Sequence, residues 1–178
     1  MTDIQPHLIT IRDYNPDDRA DCEAVAEIYA HHVLYGTASF EVTPPSPEDI
    51  KERFTALVRK GFPIIMACAE NGHVLGYAYC GTYKERAAYK NTVEDSIYVR
   101  HDITDKGIGS LLLSALINKA KHHGYLQMIA VIGDSDNKAS IRLHEKAGFW
   151  MIGTATNIGF KFNRFINVVY MQLDLTRL

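Results

Sequence analysis

The chain has 178 residues, 47% of them hydrophobic and 22% charged, with a formal net charge of -2. That is the composition of an ordinary globular protein long enough to bury one core, and with no basic run nothing in the charge balance argues for a phosphate-backbone partner such as DNA. No apolar run reaches the roughly 18 residues that a membrane crossing needs.

The N-terminal MTDIQPHLIT lacks the basic-then-apolar order of a secretory signal. Cys22, Cys68 and Cys80 form neither a Cys-x-x-Cys pair nor a zinc spacing, and predict buried thiols in a cytoplasmic protein. No repeat or linker divides the chain, so residues 1–178 are expected to form one domain.

Leu8 to Arg12 alternates and predicts a first strand. Asp17 to Leu34 predicts a helix with Val25, Ile28, Tyr29, His32 and Val33 inward. TPPSPEDI stops any strand running from Phe40. Ser46 then caps a second helix, with Pro47 at its first position, Asp49 in its first turn and an end near Gly61. Ile64 to Ala69 and Val74 to Tyr83 are strands joined through Asn71-Gly72, a strong hairpin signal. Thr92 to Val99 is a further strand.

The apolar residues 108, 111, 112, 115 and 116 then predict a helix closed by Gly124. Met128 to Ile132 is a buried strand, Lys138 to Lys146 a helix closed by Gly148, and Val168 to Leu175 a last strand. This order predicts an α/β (α+β) fold: a mixed, mostly antiparallel sheet with helices on both faces. The hairpin argues against a doubly wound parallel sheet.

Between the Thr92–Val99 strand and the next helix lies DKGIGS. A helix start offers free N–H groups and the positive end of the helix dipole, and glycines let a pyrophosphate approach them. The turn has neither the Walker spacing nor the full G-x-G-x-x-G, since Leu112 takes the last glycine position. By itself it is a phosphate-binding turn or merely a tight one. Adjacent histidines on a helix point about 100° apart, so His31-His32 and His122-His123 do not close on one ion, and no metal is expected.

The succession SIYV, DKGIGSLLLSALINKAKHHG, MIAVIG and NKASIRLHEKAGF resembles the acetyl-CoA-binding core of the GNAT family of N-acetyltransferases. ERAAYKNTVEDSIYV, TASFEVTPPS, GYAYCGTY and the closing GFKFNRFINVVYMQLDL resemble its phosphinothricin acetyltransferase-like branch, so the likeness spans almost the whole chain. It implies that Asp105, Lys106, Gly107, Ile108, Gly109 and Ser110 hold the pyrophosphate of acetyl-CoA, mostly through backbone N–H groups. The pantetheine arm would pair with the backbone of Ile97, Tyr98 and Val99, and an N–H near Val99 would polarise the thioester. Asn137 would cap the following helix, bond the pantetheine amide, or both.

The resemblance also implies Glu94 as the general base for the attacking amine and His144, where many relatives have tyrosine, as proton donor to the thiolate. Asp95 lies on the opposite face of the strand and is expected to be structural. Lys84, Arg86 and Tyr89 of YKERAAY, with Phe40 and Glu94, are expected to hold a small amino-acid-like acceptor such as phosphinothricin, methionine sulfoximine or methionine sulfone. The branch usually forms homodimers. Two departures stand out: Thr104 replaces a Gln or Arg before the turn, and Asn163, Phe165 and Asn167 replace the Gly, Trp and Asp of Gly-x-Lys-x-Gly-x-Trp-x-Asp. Acetylation of a protein N-terminus or lysine, and a non-catalytic acetyl-CoA-binding module, are the rival readings.

Overall fold

The computed structural model describes residues 9–103 and 106–177. Strands β1 (Thr10–Asp13), β2 (Ile64–Cys68), β3 (Val74–Thr82), β4 (Thr92–Val99), β5 (Gln127–Gly133), β6 (Trp150–Lys161) and β7 (Arg164–Asp174) form one sheet in the order β1-β2-β3-β4-β5-β7-β6. Every pairing is antiparallel except β4 with β5. The mixed, mostly antiparallel sheet is therefore as the sequence predicts.

Helices α1 (Arg19–Tyr35) and α2 (Pro47–Arg59) cover one face, and α3 (Ile108–His122) and α4 (Lys138–Lys146) the other. Two apolar clusters separate accordingly: Val25, Ile28, Phe54, Met66 and Tyr77 on one side, Ile65, Leu75, Leu112, Leu116 and Met128 on the other. β2 is buried along its whole length because both layers press on it. The local signals hold. Ser46 and Asp49 make the reciprocal cap of α2, and all three cysteines are buried and free.

Element bounds shift by a residue or two, the last strand begins at Arg164 rather than Val168, and three differences matter most. Leu8 lies outside the described residues, and β1 runs one residue further, to Asp13. In α3 the buried stripe is Ile108, Leu112, Leu113, Leu116, Ile117 and Ala120, while Leu111 is exposed. Three consecutive leucines leave the phase of a helix ambiguous in sequence; packing against β2 and β3 selects it. The third is β6, a twelve-residue edge strand that the periodicity does not reveal. It turns into β7 through Phe162 and Asn163, both at positive φ.

Pairing of β4 with β5 is confined to Thr92–Asp95 against Gln127–Ala130. Beyond that point the two parallel strands diverge, and a wedge opens through the sheet.

Candidate active site

The wedge is a cavity of about 670 Å³, walled by Ser96–Val99 of β4 and Ala130–Gly133 of β5. Its α1 side is closed by His32, Thr37 and Ala38, and its α4 side by Ser140, Leu143 and His144, so it passes from one face of the sheet to the other. The N–H of Arg100 donates to the Leu75 carbonyl in β3. Strand alternation then turns the backbone groups of Ile97 and Val99 into the wedge and those of Tyr98 toward β3. Of the three expected backbone contacts, two thus face the cavity, and Tyr98 contributes wall.

At one end of the wedge stands the start of α3. Gly107 is its N-cap at φ 74, a left-handed conformation that glycine adopts without strain, and no side chain caps the helix. Leu111 N–H is the first to bond back to Gly107, so the N–H groups of Ile108, Gly109 and Ser110 lack intrahelical partners. Gly107, Gly109 and Ser110 line the cavity, whereas the side chain of Ile108 is in the core. Lys106 immediately precedes this turn. Asp105 and Thr104 lie outside the described residues. Asn137 also lines the cavity, and its Oδ1 accepts from Ser140 N–H at 3.2 Å, capping α4.

Glu94 and Asp95 occupy opposite faces of β4, as alternation requires. Glu94 faces the α1–α2 side, on the row that includes Ser96 and Tyr98. Burial, then the neighbouring Asp95 charge, push its carboxyl up to about 7. It lies three residues before Ile97, about 10 Å along the strand.

Asp95 is buried on the other side and lines the cavity beside His144. His144 Nε2 lies 3.1 Å from Asp95 Oδ2, and Nδ1 lies 2.8 Å from the Ser140 carbonyl oxygen. Burial opposes charge on this ring most strongly, but the Asp95 hydrogen bond and charge together with the Ser140 carbonyl outweigh it and raise its pKa above the ordinary histidine value. Asp95 is thus part of the site rather than remote from it.

The sequence places His32 on the inner face of α1. Burial keeps its ring neutral, and Nε2–H donates to the Val99 carbonyl oxygen at 2.9 Å inside the wedge. Its phase on α1 signals only an inward side chain; the carbonyl partner is 67 residues away. His31 instead stacks on His101 with ring centroids 3.8 Å apart. Among the described residues, no group of three or more His, Cys, Asp or Glu side chains is arranged to hold a metal ion.

Residues 36–41 cross the mouth of the wedge as a strap. Buried Lys161 donates to the carbonyl oxygens of Gly36 at 2.9 Å and Ser39 at 2.6 Å. Ser39 Oγ shares a hydrogen bond with Tyr29 Oη at 2.7 Å. A Cβ on Gly133 would stand 2.1 Å from the Thr37 carbonyl oxygen, and one on Gly159 2.1 Å from the Phe40 ring. Glycine at both positions therefore lets the strap close down on β5 and β6. Phe40 sits at this end of the site.

Lys84, Arg86 and Tyr89 gather elsewhere, in a depression of about 530 Å³ at the N-terminal end of β4 that also includes Thr92. The Lys84 ammonium lies 5.0 Å from the Tyr83 ring centre and 5.4 Å from that of Tyr89. Thr92 is on the same face of β4 as Glu94, two residues away, but Glu94 is not among the residues that line the depression. Asn167 ties neighbouring segments together, accepting from Asn157 N–H at 3.0 Å and donating to Ser135 Oγ at 3.1 Å.

Compared with known families, residues 25–149 match the acetyltransferase (GNAT) family. Phosphinothricin N-acetyltransferase of Alcaligenes faecalis is 43% identical over 155 residues, covering 87% of this chain and 78% of that protein. L-methionine sulfoximine/L-methionine sulfone acetyltransferase of Pseudomonas aeruginosa is 39% identical over 156 residues, covering 88% of this chain and 90% of that one. Among solved structures, a phosphinothricin acetyltransferase from Sinorhizobium meliloti in complex with AcCoA superposes with a TM-score of 0.88 at 40% identity, covering 94% of this chain and 88% of that one.

Proposed function

The chain belongs to the acetyltransferase (GNAT) family, and we propose that its acceptor is the α-amine of a small amino-acid-like molecule. It is an acetyl-CoA-dependent N-acetyltransferase related to the phosphinothricin and methionine sulfoximine enzymes. The acceptor class is phosphinothricin, methionine sulfoximine or methionine sulfone. The observation that carries the reading is Glu94, a half-buried carboxyl on the strand that borders the wedge, where burial favours its neutral form.

The residues fit the co-substrate. Three N–H groups without intrahelical partners at a helix start suit a pyrophosphate, and the inward groups of Ile97 and Val99 suit an amide-bearing arm that adds itself as a strand. Bound acetyl-CoA supplies the activated acyl group. The Val99 N–H polarises the thioester carbonyl, and His32, by occupying the Val99 oxygen, anchors the next peptide, Val99–Arg100. Glu94 takes a proton from the acceptor ammonium, freeing the lone pair that attacks. A base with a pKa near 7 is half ionised at neutral pH, where it accepts a proton and releases it again to water.

Lys84 and Arg86 are assigned to the acidic end of the acceptor, with Tyr89 beside them and Phe40 walling the far end. Arg86→Ala should raise KM for acceptors about 10-fold or more, since a charge-assisted bond is worth about 1.5–3 kcal/mol, and spare the KM of acetyl-CoA. Steady-state kinetics in each substrate checks this; equal rises in both constants would contradict the assignment.

The protein is further assigned as a homodimer through the β6–β7 edge. Ile158, Phe160, Phe162 and Phe165 are each half or more exposed there, and the Phe160 and Phe165 rings pair edge-to-face at 5.2 Å. So large an apolar surface is costly in water and suits a second copy. Sedimentation at micromolar concentration is expected to give the dimer mass; a monomer would refute it.

A further inference from the structure

The Asp95–His144 pair holds a chemical clue in its hydrogen bonds. Nδ1 of His144 faces a backbone carbonyl, which only accepts, so Nδ1 carries hydrogen. A neutral ring would then present a bare Nε2 lone pair to the Asp95 carboxylate 3.1 Å away, acceptor against acceptor. One proton must lie between them. Both side chains are at least nine-tenths buried, and Asp95 Oδ1 is buried without a hydrogen-bond partner. A carboxylate left so poorly solvated needs a cation beside it. Facing Asp95 are the Cys80 thiol from β3 and Ala130 from β5; Glu94 is on the far side of β4, and α4 adds the Ser140 hydroxyl and carbonyl. The edge of the Phe149 ring closes against His144, with centroids 5.0 Å apart. Among these groups, imidazolium against carboxylate satisfies every polar atom except Oδ1.

We propose that Asp95 is a positioning residue that keeps His144 protonated at the wall of the wedge, so that the pair delivers this proton to the departing coenzyme A thiolate. The proposal rests on the acetyl-transfer reading above. As the amine nitrogen bonds the acetyl carbon, the C–S bond breaks and its electron pair stays on sulfur. Sulfur takes the Nε2 proton and leaves as the thiol. The acceptor enters as an ammonium and ends as an amide with one N–H, so it releases two protons. One restores the pair and the other passes to solvent. Consecutive residues of one strand thereby serve opposite ends of the reaction: Glu94 on one face removes protons, and Asp95 on the other maintains the donor.

Asp95→Asn tests this with little change of shape, because the amide can donate to a neutral Nε2 and no stored proton is needed. Ring-nitrogen NMR of His144 is recorded in the wild type and the variant from mildly acidic to mildly alkaline pH, beside kcat and KM. In the wild type His144 should remain an imidazolium at neutral pH; in the variant it should be neutral. The variant's kcat should fall about 10²-fold, the lower range for loss of proton transfer, with acetyl-CoA KM little changed. A neutral His144 in the wild type would overturn the pair's assignment without any variant. An undiminished kcat in Asp95→Asn would overturn its role in the reaction. A wild type that acetylates no amine would instead overturn the acetyl-transfer reading and the delivery step with it, while the titration separately reports the state of the pair.

Discussion

Glu94→Gln is expected to lower kcat at neutral pH by about 10²–10⁴-fold, the usual cost of losing a general base, and to stabilise the fold at alkaline pH. The wild-type rate should rise as pH passes about 7, where Glu94 ionises. In the variant that limb disappears, and the residual rate follows deprotonation of the acceptor amine in solution. The stability change has a definite sign. Folding raises this carboxyl from 4.5 to about 7. Below 4.5 it is protonated in both states. As pH rises between those values, the unfolded chain releases a proton that the folded chain retains, and stability is lost through that window. Gln has no charge to bury, so the variant's melting temperature should exceed the wild type's at alkaline pH and match it in acid. Lower activity with higher stability distinguishes a strained base from a surface ion pair, whose loss would give neither. Unchanged kcat across the neutral range would remove Glu94 from the base role.

Gly109→Val acts at the other end of the wedge. A Cβ at Gly109 would lie 3.3 Å from Leu143 Cδ2 of α4, already tight, and valine adds two methyl groups at a residue that lines the cavity. Either α3 shifts from α4 or the methyls crowd the N–H groups assigned to pyrophosphate. Overpacking costs about 1–3 kcal/mol; where that strain falls on the bound state, acetyl-CoA should bind about 5- to 150-fold more weakly. Calorimetry measures this directly, and Gly109→Ala should fall between the two. Full affinity in the valine variant would separate the turn from cofactor binding.

What the sequence made legible is what short-range chemistry encodes. The Asn71-Gly72 hairpin, the Ser46 cap and the glycines before α3 each have a local physical cause, and each stands where expected. The β6–β7 hairpin escaped because its turn uses Phe162 and Asn163 at positive φ, with no glycine to announce it. Its apolar residues are also exposed, so alternation gives no inward face to read. Alternation along β4 does place Glu94 and Asp95 on opposite faces. It does not reveal that the wedge cuts through the sheet, which brings Asp95 to the cavity wall. His32 was hidden for a related reason: its partner is a backbone carbonyl, and no residue type marks that. Phe40, against Gly133 and Gly159, and Arg86, in the depression at Thr92, are grouped by resemblance but do not form one cluster.

The central claim is that acetyl-CoA and a small amino-acid-like amine meet at Glu94. The most direct measurement is mass spectrometry of products from acetyl-CoA and a mixed panel of phosphinothricin, methionine sulfoximine, methionine sulfone, the common amino acids and peptides with free N-termini or lysines. Acetylation is expected at the α-amine of one or more of the small acceptors, lost in Glu94→Gln at neutral pH. Products confined to the peptides, or no transfer to any amine while acetyl-CoA still binds, would contradict it.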